Sequence, residues 1–161
     1  MYYTIITPFC QLLLFLPFDK INKMKNNFTL NIKNSLAETQ KIIPAINSLA
    51  ESIPLSNEIK FDFNLALNEL LTNIVSYAFD DNNEHIINIQ ISFDKDCLKA
   101  VITDDGKEFN PLEYPPPDTK KPLDERSIGG LGVFFVKELM DKVKYERRSN
   151  QNILTVEKKI K

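Results

Sequence analysis

The stretch Ile87–Phe93 constrains this chain more than any other run. Ile87, Ile89, Ile91 and Phe93 alternate with Asn88, Gln90 and Ser92, the period of a strand that buries one face. After Asp94-Lys95-Asp96, the residues Leu98, Ala100 and Ile102 resume the alternation, so the two segments are expected to pair as an antiparallel hairpin. A lone hairpin is marginal in water, and its apolar face needs further strands and a covering layer.

The rest of the chain offers both. Phe28, Leu30 and Ile32 alternate with Thr29, Asn31 and Lys33, which predicts another half-buried strand. Ser35 with Glu38 reads as a capping box, opening a helix toward Ser52 that Pro44 is expected to kink. A longer helix is predicted from Asn57 to Phe79, stopped by Asp80-Asp81-Asn82-Asn83. A third opens at Gly129–Gly132 and runs to about Asp141. Two strands close the chain, near Val143–Arg148 and Ile153–Lys159, joined by Ser149-Asn150-Gln151-Asn152. Strands at both ends with helices between predict an α+β fold. We expect a two-layer sandwich, a mainly antiparallel mixed sheet with helices on one face, rather than a doubly wound one.

At 161 residues the chain has the length of one domain, and 43% hydrophobic with 26% charged residues excludes a disordered chain. With 20 Lys and Arg against 22 Asp and Glu, the net charge of −2 gives no general pull toward nucleic acid or an anionic membrane. Two cysteines, Cys10 and Cys97, fit no disulfide or metal framework and point to a reducing compartment, the cytoplasm. The apolar run at residues 2–18 lacks a basic lead and a cleavage site, and Pro8 and Pro17 interrupt it. It reads as an extension, 1–23, preceding a domain over 24–161. Translation beginning at Met24, an arm packed on the domain or a partner, and membrane association are the three readings of it.

Residues 111–128 hold five prolines and seven charged residues in 18 positions, too long and polar for an ordinary connection, and they are expected to form a functional lid. The four glycines of the chain lie at two places, Gly106 and the trio Gly129, Gly130 and Gly132. Gly106 follows Thr103-Asp104-Asp105 at a strand end, where Asp-Gly makes a turn. The same sequence would let the backbone pass close to a base whose amino group donates to Asp104. The trio precedes a helix, either as a hinge or as a phosphate cradle of exposed amides. On the long helix Glu69 and Asn73 share a face four residues apart. Glu69 lies opposite the apolar stripe of Leu67, Leu70, Leu71, Ile74, Val75 and Ala78. They read as solvated residues, or as a base beside an oxygen ligand for Mg²⁺.

In order, these segments resemble the GHKL, or Bergerat-fold, ATPases. Glu69-Leu-Leu-Thr-Asn73 is similar to the N-box, and Asp104-Asp-Gly106 with Phe109-Asn110-Pro111 to the adenine box. Gly129-Gly-Leu-Gly132 is similar to the second glycine box. Within that superfamily, ALNELLTNIVSYAF and GGLGVFFVKELMD most resemble the stand-alone anti-sigma factor serine kinases. The resemblance implies ATP and Mg²⁺ as cofactors, with Asn73 holding the metal and Glu69 as general base. It further implies Asp104 and Gly106 at adenine, Gly129, Gly130 and Gly132 around the phosphates, and Thr155 as an adenine-side contact. Arg126, ahead of Lys120 and Lys121, is the expected lid cation. Glu108 departs from the pattern, standing where many members have a glycine, so it either narrows the nucleotide mouth or points outward.

The resemblance implies an ATP-dependent serine protein kinase and anti-sigma regulator. Its partners would be a small antagonist protein and a sigma factor, with no direct nucleic acid or membrane contact and a homodimer as the family-level expectation. The alternative is a binding module that uses ATP only to choose its partner. The catalytic domain of a sensor histidine kinase is disfavoured. The one histidine, His85, falls at a strand start and reads as a surface residue, and no sensor or dimerisation helix precedes the domain.

Overall fold

A computed structural model describes residues 27–50, 53, 55–94, 96–113 and 131–160. Its strands are β1 (Asn27–Lys33), β2 (Ile86–Asp94), β3 (Cys97–Asp104), β4 (Lys142–Arg148) and β5 (Gln151–Lys159), forming one sheet in the order β1-β2-β3-β5-β4. All pairings among them are antiparallel. The helices are α1 (Leu36–Thr39), α2 (Ile42–Ala50), α3 (Asn57–Tyr77) and α4 (Leu131–Leu139), with a single 3₁₀ turn at Pro111–Glu113. The amino-terminal extension with Met24 lies outside the described residues. So does the expected lid beyond residue 113, with Lys120, Lys121, Arg126, Gly129 and Gly130.

Alternation in the strands decides where the core sits. Ile87, Ile89 and Ile91 of β2, Leu98, Ala100 and Ile102 of β3, and Leu154 and Val156 of β5 are buried, all at one parity. Against them pack Phe63, Ala66, Leu67, Leu70 and Leu71 of α3, Ile42, Ile46 and Leu49 of α2, and Val136 of α4. Each buried side chain of this kind contributes roughly 1.5–3 kcal/mol relative to exposure. The opposite face carries Thr29, Asn31, Asn88 and Gln90, where the Asn88 amide donates to Asn31 Oδ1 at 2.7 Å. The hairpin expected from the sequence is present, and the helical layer covers its apolar side.

Helix starts differ from expectation at one place. The helix from Ser35 does not kink at Pro44. It breaks earlier, at residues 40–41, and Pro44 sits at the third position of α2, where a missing N–H leaves no helical bond unmade. The expected capping box does not form. Ser35 makes no side-chain cap bond, while Glu38 Oε2 accepts from the Lys33 backbone N–H at 3.5 Å. At α3, Ser56 does cap, its Oγ accepting from Ile59 N–H at 3.2 Å.

One ion pair fastens the two layers. Lys158 of β5 donates from Nζ to Asp62 Oδ2 of α3 at 2.8 Å and to the Leu139 carbonyl ending α4 at 2.7 Å. The two side chains are only 19% and 12% exposed, so the lost partner could not be replaced fully by water. Lys158→Met is expected to lower the unfolding free energy by about 2–3 kcal/mol, read as a fall in urea midpoint at unchanged slope. An unshifted midpoint would reduce the pair to a surface contact.

Candidate functional site

The inward parity carries Leu98, Ala100 and Ile102 on β3 and Val156 and Leu154 on β5 before its last rank. Ile102 pairs with Leu154, and Leu154 with Tyr145; one rank further, Asp104 pairs with Asn152, and Asn152 with Arg147. Three adjacent strands thus turn polar at the same level. Asp104 is 3% exposed and Asn152 5%, and buried polar groups are costly unless hydrogen-bonded. Here they are. Asp104 Oδ1 accepts from Asn152 Nδ2 at 2.8 Å and from the Gly106 N–H at 2.9 Å. Asn152 Nδ2 also donates to the Lys107 carbonyl at 3.0 Å, and its Oδ1 accepts from Tyr145 OH and Arg147 Nη1, both at 2.8 Å. Burial pushes the Asp104 carboxyl above its ordinary value, opposed by its bonds to Asn152 and Gly106 and by the Arg147 charge.

This rank closes one end of a cleft between α3 and the sheet. Leu70, Ile74, Phe109, Leu154 and the Tyr77 ring give it apolar walls, and Asn73 and Asp104 also line it. An apolar slot with one buried carboxylate suits a flat heteroaromatic ring bearing an amino group. Among the described residues, both protein hydrogen bonds to Asp104 go to Oδ1, which leaves Oδ2 for a ligand.

Glu69 lies one turn before Asn73 on α3, at the start of α4. A Cβ added to Gly132 would collide with the Glu69 carboxylate, reaching its Cδ at 3.1 Å. Gly132 therefore lets α4 begin directly over Glu69, which is half-buried rather than solvated. Gly106 is confined for a different reason. Its added Cβ would meet Ala78 Cβ at 2.6 Å, the Ala78 carbonyl at 2.7 Å and Asp104 Oδ1 at 2.9 Å. The turn is pressed onto the end of α3, where the Lys107 N–H donates to the Ala78 carbonyl at 2.8 Å.

Of the residues singled out from the sequence, Asn73 and Asp104 share the cleft, Gly106 shapes its turn, and Glu69 meets Gly132. Thr155 does not join them. It alternates with buried Leu154 and Val156 and stands on the outer face of β5. Glu108 is exposed and is not among the described residues that line the cleft. Asn152, Arg147 and Tyr145 join the site without a signal of their own in the sequence, where Asn152 reads as part of the connection between the last two strands. Ser149 and Asn150 alone make that turn, with φ of 49° and 61°, the left-handed pair of a two-residue hairpin. Adjacent Ser-Asn between alternating runs was the available signal.

His85 is not a stray surface residue. It stacks on Phe79 with ring centroids 4.2 Å apart and bridges Asp81 Oδ1 at 2.8 Å and Asp105 Oδ1 at 3.1 Å. Asp81 first, and Asp105 second, raise its pKa above 6.5. Because the folded value lies above the unfolded one, the stabilisation is full below about 6.5 and is lost as pH rises through the raised folded value. Urea midpoints should decline across that window, and His85→Gln should remove this part of the decline. An unchanged profile would show that the bridge carries no linkage.

The two glycines predict a second contrast. Gly106→Ala meets backbone and should cost about 1–3 kcal/mol in urea unfolding, whereas Gly132→Ala meets the end of a flexible side chain and should cost little. Equal losses would contradict these contacts.

Residues 32–158 match a family model described as a histidine kinase-like ATPase domain. Curated relatives include the serine-protein kinase RsbW of Oceanobacillus iheyensis, 31% identical over 103 residues, which covers 62% of this chain and 65% of that protein. RsbW of Staphylococcus aureus is 35% identical over 97 residues, covering 57% of this chain and 61% of that protein. The matched stretch is thus less than two thirds of these relatives' length. Among solved structures, the RsbU and RsbW domains of a Mycobacterium tuberculosis protein align with a TM-score of 0.56 at 12% identity, over 82% of this chain and 31% of that one. The histidine kinase domain of a blue-light activated histidine kinase from Erythrobacter litoralis aligns at 0.50 and 19% identity, over 78% of this chain and 60% of that one. At such identities the structural likeness speaks for the fold alone. Among the described residues no helix is long and apolar enough to cross a membrane.

Proposed function

The chain belongs to the histidine kinase-like ATPase domain family, within the GHKL superfamily, and from that premise we propose that its cleft binds ATP for phosphoryl transfer to a protein serine. The observation that carries this reading is the buried Asp104 closing an apolar cleft, with Asn73 and Glu69 leading along one helix face to Gly132. Adenine fits the apolar slot and donates its amino group to Asp104. The triphosphate extends past Asn73 toward Gly132 at the amino end of α4, and the resemblance implies that Gly129, Gly130 and Arg126 also serve the phosphates. The substrate is a small antagonist protein, as the resemblance to anti-sigma factor serine kinases implies, and the relatives' name, serine-protein kinase, supports a serine as the acceptor. Its phosphorylation is coupled to release of a bound sigma factor.

The residues present fit a metal at Asn73. Its side chain lines the cleft, and among the described residues no hydrogen bond engages its amide, so the carbonyl is open as a hard oxygen ligand. Mg²⁺ held there would supply charge neutralisation between the phosphates. The protein's own contribution is positioning and proton movement. The serine hydroxyl oxygen attacks the γ-phosphorus, the bond to the β-phosphate oxygen breaks, ADP leaves, and the hydroxyl proton passes to the Glu69 carboxylate. Gly132, lacking a side chain, leaves room for that carboxylate beside α4.

Glu69→Gln keeps shape and loses the base. Its ATP affinity in titration calorimetry should change little, while transfer of labelled phosphate to a co-purified partner should fall by roughly 10²–10⁴. Asp104→Asn is the counterpart and should strongly weaken ATP binding itself. If Glu69→Gln transfers phosphate at the parent rate, Glu69 is not the base. If the parent binds ATP with Mg²⁺ and transfers nothing, the chain is a nucleotide-dependent binding module.

A further inference from the structure

The rank Arg147–Asn152–Asp104 does more than satisfy buried groups. Arg147 has donors only, and it donates from Nη1 to Asn152 Oδ1 and to the Gly106 carbonyl, both at 2.8 Å. Tyr145 OH adds a second donor to the same Asn152 oxygen at 2.8 Å. With both donors on Oδ1, the Asn152 amide has one orientation, and its Nδ2 must face Asp104 Oδ1 and the Lys107 carbonyl. All four hydrogen-bonding positions of the amide are used. Arg147 is itself held, since its Nη2 donates to Asn150 Oδ1 at 2.8 Å, in the left-handed turn that sets the β4–β5 register.

An N–H aimed at Asp104 Oδ1 favours the carboxylate over the carboxylic acid. Were the amide reversed, its oxygen would face Asp104 and favour a protonated carboxyl, which can donate. The two states read opposite chemistry. A carboxylate accepts from a 6-amino purine, while a carboxylic acid can donate to a 6-oxo purine. We propose that Asn152, oriented by Arg147 and Tyr145, is a positioning residue that keeps Asp104 an acceptor and so makes the cleft select 6-amino over 6-oxo purine nucleotides. This rests on the reading of Asp104 as the base contact, and it assigns selectivity to residues that need not touch the nucleotide's reacting atoms.

Inosine triphosphate differs from ATP in the base only at position 6 and the adjoining ring proton, so the ratio of the two affinities isolates this effect. A merely structural role for the rank would weaken both nucleotides together and leave the ratio in place. Calorimetric titration of the full chain with each nucleotide and Mg²⁺ gives that ratio. We expect the parent to favour ATP by at least about tenfold, and Asn152→Leu to narrow the preference by about tenfold, the usual size for a charge-assisted hydrogen bond. The double variant Arg147→Met/Tyr145→Phe leaves Asn152 in place and should narrow it likewise. Arg147→Lys, which keeps a donor, should retain most of it. Should Asn152→Leu fail to fold, the double variant and Arg147→Lys decide the matter. Folded variants that keep the parent ratio would overturn the proposal while leaving ATP binding intact. A parent that binds no ATP, or binds both nucleotides equally, would overturn the reading of Asp104 and this inference with it.

Discussion

A carboxylate carried into an apolar interior must be hydrogen-bonded or give up its charge. Asp104, 3% exposed at the end of the central strand β3, is under that constraint. Its partners come from two directions. The Gly106 N–H arrives because the turn after β3 doubles back onto the end of α3, and Asn152 arrives because β5 pairs with β3 in a register that sets the two opposite. A shift of one residue in β5 would turn Asn152 to the outer face and leave Asp104 with a single donor. The tight Ser149-Asn150 turn guards against that shift by fixing β5 against β4.

Helix α3 is the second organiser. One of its faces supplies Phe63, Leu67 and Leu71 to the core, while Leu70 and Ile74 form a wall of the cleft. The Glu69–Asn73 turn then brings a carboxylate and an open amide to the cleft's flank. Position along α3 therefore sets chemistry. Asp62 is tied to the sheet through Lys158, Glu69 meets Gly132, Asn73 lines the cleft, and Ala78 receives the Gly106 turn. A rigid element of 21 residues holds these groups in mutual register, which suits a site built for positioning.

The periphery of the site is electrostatic. His85 bridges Asp81 and Asp105, and Lys107 pairs with Asp80 at 2.7 Å. Together they fasten the loop after α3 to the turn that carries Asp104 and Gly106. The exposed ion pair is worth little singly. The stacked histidine adds a contact whose strength follows pH, and it lies beside the Asp104 end of the cleft rather than at the Glu69 end.

Local pattern determined much of this protein. Period-two alternation marked the strands, because a half-buried strand has no other way to be written. An apolar stripe marked α3, with Glu69 and Asn73 necessarily on one face. The scarcity of glycine pointed to Gly106 and Gly132; a Cβ at Gly106 would meet backbone, and one at Gly132 would meet the movable Glu69 carboxylate. The resemblance in three ordered segments gave the superfamily, which the family match bears out. Tertiary structure alone decided the rest. Pro44 reads as a kink, and in the structure it lies in the first turn of α2 instead. Thr155 and Asn152 differ by three residues, and with Ile153 and Leu154 both apolar the local alternation did not say which parity faces the core. Pairing with β3 settled it, placing Thr155 outward and Asn152 against Asp104. Hydrogen bonds between residues 48 positions apart have no local signature, because the register that makes them is a property of the whole sheet.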